Sequence, residues 1–170
     1  TWALKEWNWF LQTGMINELP LVHDGVVETC EAKGRHYTYN QGVILAALVD
    51  LDKLTENKDY SELAHKIALA AIMHMSTAGG ILKGHPKEEI GNDGVQFKGI
   101  FMRHLAYLHL HHPNEKFETF ITENANAIKT RATKNSTFLI GSQWDGPFDK
   151  ADAARQSSAI DALVSNLEAN

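Results

Sequence analysis

Residues 40–80 read NQGVILAALVDLDKLTENKDYSELAHKIALAAIMHMSTAGG, and this stretch decides the fold. Val43, Ile44, Ala47, Leu48, Leu51 and Leu54 recur at helical spacing, which predicts a helix over 40–54. Leu63, Ile67, Ala71 and Met75 form a second stripe, predicting a helix over 59–77 that Gly79-Gly80 stops. The link at 55–58 is short enough that the two helices must run antiparallel, as a helical hairpin.

The same grammar extends in both directions. Upstream, residues 2–12 are aromatic-rich, with Trp2 and Trp9 one heptad apart and Phe10 beside them, and Gly14 ends the segment. Downstream, helices are predicted over 95–111, 115–132 and 150–168, with Pro113 closing the first of these. Long loops at 15–38, 81–94 (with Pro86 and Asn92-Asp93-Gly94) and 133–149 alternate with short links near 55–58 and 112–115. The expectation is an all-α domain over 1–170, built of hairpins joined alternately by short and long turns. No strand alternation is visible. Loops beyond about 12–15 residues are uncommon unless they are functional or disordered, so the end that gathers them is the candidate binding face.

Composition narrows the function classes. The chain has 170 residues, 44% hydrophobic and 22% charged, with a net charge of −5. No clustered basic face points to nucleic acid. No apolar run reaches the roughly 20 residues of a membrane span. Cys30 is the sole cysteine and is expected to be buried, as free cysteines commonly are. His109, His111 and His112 cluster at a helix end without a zinc-type partner motif, so no metal and no cofactor are expected. Asn135-Ser136-Thr137 matches the N-glycosylation pattern, a match that carries little weight by itself.

Four places could carry chemistry. Tyr37-Thr38-Tyr39-Asn40-Gln41-Gly42 opens the second helix, with Asn40 suited to cap it. Aromatic rings stack on pyranose C–H faces, and amides meet hydroxyls as donor and acceptor; the alternative is a cap with buried aromatics. Asp24, in His23-Asp24-Gly25, is either a ligand-facing carboxylate or a turn residue. Gln96-Phe97-Lys98-Gly99 begins the fourth helix, where Phe97 and Lys98 line a cleft or else enter the core and snorkel to solvent. Trp144, in Trp144-Asp145-Gly146-Pro147, is an exposed platform or a buried loop anchor.

Taken in order, these blocks, with Thr13-Gly14, Cys30, Ile100-Phe101-Met102-Arg103 and the closing Gln156-Ser157-Ser158-Ala159, resemble glycoside hydrolase family 76, the α-1,6-mannanase-like enzymes. The resemblance implies helical hairpins of an (α/α)6 toroid, about half of the complete barrel and its C-terminal portion. It implies retaining action on α-1,6-linked mannan, and an extracellular or cell-wall location. It places Asp24, Tyr39, Asn40, Phe97 and Lys98 in the sugar cleft, with Trp144 a weaker candidate. In this family two adjacent aspartates in the N-terminal half do the chemistry, and this sequence has no Asp-Asp pair. No catalytic residue is therefore assigned. The alternatives are a noncatalytic carbohydrate-binding helical module and, further off, an unrelated helical repeat that binds protein. Half a toroid would expose apolar edges, which implies a homodimer or a complementary N-terminal half.

Overall fold

The computed structural model describes residues 1–84, 91 and 93–169. Among them are six helices: α1 (Trp2–Gln12), α2 (Thr38–Thr55), α3 (Asp59–His74), α4 (Phe97–His111), α5 (Glu115–Ala127) and α6 (Ala153–Ala169). The hairpin pattern read from the sequence holds. Pro86 and Asn92 of the second predicted loop lie outside the described residues. None of the described helices is long and apolar enough to cross a membrane.

Helices α2, α4 and α6 form one layer with α4 in the middle; α3 covers α2, and α5 covers α6. Leu45, Leu48, Ile67, Phe101, Leu105 and Phe117 are fully buried between the layers. The α2–α4–α6 layer is close-packed because glycine stands at each crossing. A Cβ on Gly42 would lie 2.7 Å from the Phe101 Cα, and one on Gly99 would lie 2.6 Å from the Ser158 carbonyl oxygen. Ser158 Oγ accepts a hydrogen bond from the Gly99 amide at 3.0 Å, fixing the register of α4 on α6.

The described parts of the three long loops gather at one end, and each uses the same device. The chain leaves a helix, pairs briefly with itself, and turns back. Ile16 pairs with Val22 after α1, and Ser76 with Leu82 after α3. After α5 the strands β3 (Thr133–Lys134) and β4 (Leu139–Ile140) pair; within the first loop β1 (Gly25–Val26) also pairs with β2 (Ala32–Lys33). In each loop a helix-borne amide holds the returning residue's N–H. Gln41 Oε1 accepts from Val22 at 2.8 Å, Asn124 Oδ1 from Leu82 at 2.9 Å, and Gln156 Oε1 from Ile140 at 3.0 Å. Buried backbone donors require such partners. The repeat is thus one of hydrogen bonding, with no counterpart in sequence identity.

Several expectations need correction. Asn40 does not cap α2; the helix begins at Thr38, and Asn40 lies in its first turn. Helix 59–77 ends at His74 because Ser76 is already paired with Leu82. The segment 115–132 splits into α5 and a π-turn over Ile128–Ala132. Short strands occur where none was foreseen, since two residues cannot display alternation. Cys30 is exposed, in a turn with φ 61°. On α1 the buried ring is Trp7, packed on Phe10 and Tyr60, while Trp2 and Trp9 are exposed.

At the opposite end, the short links are tied by an ionic cluster. Asp52 is buried, with Lys58 at 3.0 Å and His112 at 3.3 Å. His112 therefore has a carboxylate partner, and among the described residues no group of three or more His, Cys, Asp or Glu is gathered as a metal site would be.

Candidate functional site

The loop end brings four of the six sequence-selected residues together. Asp24 stands just before β1, exposed at the mouth of the first loop. Tyr39 donates its hydroxyl to Asp24 Oδ1 at 2.7 Å, and Asn40 Nδ2 reaches the same oxygen at 3.4 Å. Gly34, at φ +103°, runs its backbone against Asp24, where an added Cβ would sit 3.0 Å from the Asp24 Cβ. The carboxylate is therefore positioned by the first turn of α2 on one side and by its own loop on the other.

Phe97, at the first turn of α4, closes the group. Its ring centroid lies 4.5 Å from that of Tyr39 and 5.4 Å from that of Tyr37, and the two tyrosine rings are stacked at 6.2 Å. Half-burial and the hydrogen bond to Asp24 both raise the Tyr39 pKa, so the phenol stays a donor at neutral pH. Asn40 is 8% exposed, and its Oδ1 has no partner among the described residues. A buried acceptor left unpaired is costly. Three aromatic rings, a carboxylate and a phenol suit a polyhydroxylated ligand with apolar C–H faces. Tyr37 belongs to this group through its ring stacking, although the sequence reading did not select it.

Lys98 and Trp144 lie apart from that surface, as a buried pair. Trp144 is 1% exposed, which excludes the exposed-platform reading in this conformation and leaves the loop-anchor one. Lys98 is 3% exposed, so it does not snorkel either. Its Nζ donates to the Ser142 carbonyl at 2.7 Å and the Leu82 carbonyl at 3.4 Å, and sits 4.1 Å over the Trp144 ring. Burial pushes the Lys98 pKa down to about 7, against the opposing influence of Asp145 and Asp149. This side chain ties two long loops to the helix turn that carries Phe97. Asp149 in turn holds the Ser142 amide at 2.7 Å and its hydroxyl at 2.5 Å. Burial opposes the Asp149 charge, but these hydrogen bonds, with those from the Lys150 and Gln143 backbone, outweigh it and lower the pKa.

The hydrogen bonds around Asp24 hold its carboxylate in place without supplying a second one. Retaining glycoside hydrolysis needs two carboxyl groups about 5–5.5 Å apart. Among the described residues the hydrogen-bond partners of Asp24 are a phenol and an amide.

Comparison with known proteins places this geometry in context. The model of glycosyl hydrolase family 76 matches residues 1–170. The mannan endo-1,6-alpha-mannosidase DCW1 of Candida albicans is 27% identical over 95% of this chain and 40% of its own length. The solved GH76A alpha-1,6-mannanase of a Salegentibacter species is 26% identical, with a TM-score of 0.86 over 99% of this chain and 52% of that one. An inactive variant of the same mannanase, with two consecutive aspartates replaced by alanine, was solved in complex with alpha-1,6-mannotetrose. It aligns with a TM-score of 0.84 at 26% identity, over 97% of this chain and 50% of that one. The chain thus spans about half the length of these solved relatives.

Proposed function

This chain belongs to glycosyl hydrolase family 76, and from that membership we propose that it binds α-1,6-linked mannan at the loop end, as the C-terminal part of a retaining mannanase domain. The fold is that of helical hairpins of the toroid, matching about half of it. The observation that carries the reading is the Asp24–Tyr39–Asn40 cluster under Phe97, on a backbone that aligns with a mannanase crystallised with a mannotetrose. Asp24, steadied by Tyr39 and the Asn40 amide nitrogen, would meet sugar hydroxyls, and Phe97 with the tyrosines would pack on a ring face. Lys98 and Trp144 would act through the loops they anchor.

The relative inactivated at two consecutive aspartates supports a division of labour, because no Asp-Asp pair occurs in this sequence. In this reading the catalytic pair lies outside residues 1–170, and activity needs a complementary half. The unpaired face of the α2–α4–α6 layer supports this too. Ile160, Val164 and Leu167 on α6, with Val43 and Leu54 on α2, are exposed apolar side chains, Leu167 at 78%. Between α1 and α2 an open cavity of about 390 Å³ is lined by Trp7, Trp9, Phe10, Ile44, Leu51 and Leu54. Apolar surface of this kind marks an interaction face, to be closed by the N-terminal half or by a second copy. An extracellular or cell-wall location is proposed from the family resemblance.

The second reading, a noncatalytic mannan-binding module, is favoured by the same missing aspartate pair. Product release from linear α-1,6-mannan separates the two. Cleavage appearing only when an Asp-Asp-containing N-terminal fragment of a relative is added supports the divided enzyme, whereas cleavage by the chain alone overturns it. Sugar binding without cleavage in either case leaves the module reading.

A further inference from the structure

The hairpin after α5 carries a motif that the sugar site leaves unused. Asn135-Ser136-Thr137 is the one Asn-x-Ser/Thr match in the 170 residues, with no proline at its middle position. All three residues fall at the tip of the β3–β4 hairpin, and all three are exposed. Thr133 pairs with Ile140 and Lys134 with Leu139, so residues 135–138 make up the whole loop. The Thr137 and Phe138 amides both donate to the Lys134 carbonyl, at 3.0 and 2.8 Å, which closes the turn. The base of the hairpin is anchored. Ala132 and Ile140 are buried, the Gly141 amide donates to the Ala132 carbonyl at 2.9 Å, and the Ile140 amide donates to Gln156 Oε1. A bulky group joined to the tip therefore disturbs no core packing.

Phe138 is the second observation. Its side chain is 77% exposed, on a backbone at φ 56°. Glycine or asparagine is usual in that region, because a Cβ crowds the backbone there. A large apolar ring thus stands in an unfavourable conformation and in water, and Leu139 beside it is exposed as well. Asn135 and Phe138 are the first and last residues of the same tight loop, so they stand opposite each other across it. An aromatic face in that place suits the C–H face of a sugar carried by Asn135. The groups that define the acceptor motif are open. The Asn135 side chain has no hydrogen bond among the described residues, and the Thr137 hydroxyl makes only a 3.5 Å contact to the Lys134 carbonyl.

We propose that Asn135 is an N-glycan acceptor, and that the first N-acetylglucosamine lies against the Phe138 ring. The donor is a lipid-linked oligosaccharide. Asn135 Nδ2 bonds to the anomeric carbon of that sugar, and the bond from this carbon to the polyprenyl diphosphate oxygen breaks. The diphosphate leaves with the electron pair, and one amide proton passes to a base of the transferase. The glycan then stands on the third long loop, outside the Asp24 group. The proposal rests on the extracellular route proposed above and not on the mannan site.

The full chain is translated behind a cleavable leader in the presence of endoplasmic-reticulum microsomes. Mass spectrometry follows digestion with a peptide-N-glycosidase, which leaves an aspartate wherever an asparagine carried a glycan. The expected result is one glycan, at Asn135, absent from Asn135→Gln and Thr137→Ala and retained in Thr137→Ser. A protease-protected chain whose Asn135 stays unmodified overturns the acceptor, as does a glycan that survives Thr137→Ala. The contact with Phe138 is read from thermal melts of the secreted chain before and after the same digestion. Glycan removal is expected to lower Tm by about 2–4 °C in the parent and by clearly less in Phe138→Ala. The charge left at position 135 is common to both chains and cancels. Equal losses overturn the contact and leave the acceptor standing. Asn135→Gln should bind α-1,6-mannotriose as the parent does, so a failed mannotriose titration strikes at the Asp24 reading and not at this one.

Discussion

Replacing Gly99 by alanine should damage the fold, although alanine is the better helix former. The added Cβ would lie 2.6 Å from the Ser158 oxygen, 2.7 Å from its Cα and 3.0 Å from its carbonyl carbon. All three are backbone atoms of α6, so no rotamer change relieves the contact. α4 and α6 must separate, stretching the 3.0 Å hydrogen bond from the Gly99 amide to Ser158 Oγ. Overpacking of this kind costs about 1–3 kcal/mol, and a rigid backbone neighbour places it near the upper limit. Alanine's helix preference returns about 1 kcal/mol. The net is a loss of about 2 kcal/mol, or roughly 4–8 °C in Tm for a chain of this size. Equilibrium urea unfolding with a thermal melt measures it, and Gly25→Ala, which meets nothing within 4 Å, serves as the control, expected to stay within about 0.5 kcal/mol. A Gly99→Ala variant as stable as the parent would refute the close-packed account of the α2–α4–α6 layer.

Three further outcomes follow from the same contacts. The Lys98 pKa is about 7 in the fold, below its ordinary value of 10.5, so the unfolded chain binds the extra proton between these limits. Stability from this group therefore rises with pH above about 7, by up to roughly 1.4 kcal/mol per pH unit. Urea unfolding at pH 6, 7.5 and 9 should show that slope in the parent and lose it in Lys98→Met; equal slopes would argue against a buried lysine. Gln41→Leu strands the Val22 amide and carbonyl that Gln41 holds at 2.8 and 2.9 Å, and should cost about 2–4 kcal/mol by chemical denaturation; a loss within experimental error would deny the loop-clamping role. The isolated chain should self-associate through its exposed α6 face, and Val164→Glu/Leu167→Glu should shift it to monomer in light scattering; a parent chain that is already a stable monomer would count against an incomplete ring.

Helix existence was legible wherever an apolar stripe met a short link, as in 40–54 and 59–77. Helix ends were not, because partners distant in sequence set them. Ser76 leaves α3 to pair with Leu82, and Asn40 sits inside α2 because the first helical residue is Thr38. On α1 the sequence offers tryptophans on two faces, and only packing against Tyr60 distinguishes Trp7 from Trp2 and Trp9. At the site, Asp24, Tyr39, Asn40 and Phe97 were readable as aromatic, amide and carboxylate groups in loops and at helix starts. Trp144 was ambiguous because a Trp-Asp-Gly turn reads the same whether its ring points in or out. Lys98 misled for a related reason. A lysine beside core positions looks free to reach solvent, and the carbonyl that holds it at Ser142 is 44 residues away. The loop-clamping amides Gln41, Asn124 and Gln156 share no local motif, so only the folded hydrogen bonds reveal them as a set.

The most direct test of the central claim is titration of the isotopically labelled chain with α-1,6-mannotriose, followed residue by residue by NMR. The account predicts saturable shifts concentrated at Asp24, Tyr39, Asn40 and Phe97. Affinity should fall about fivefold in Tyr39→Phe, for the loss of one hydrogen bond, and further in Asp24→Ala. Shifts that never saturate, or that gather on another face while these four residues stay silent, would contradict it.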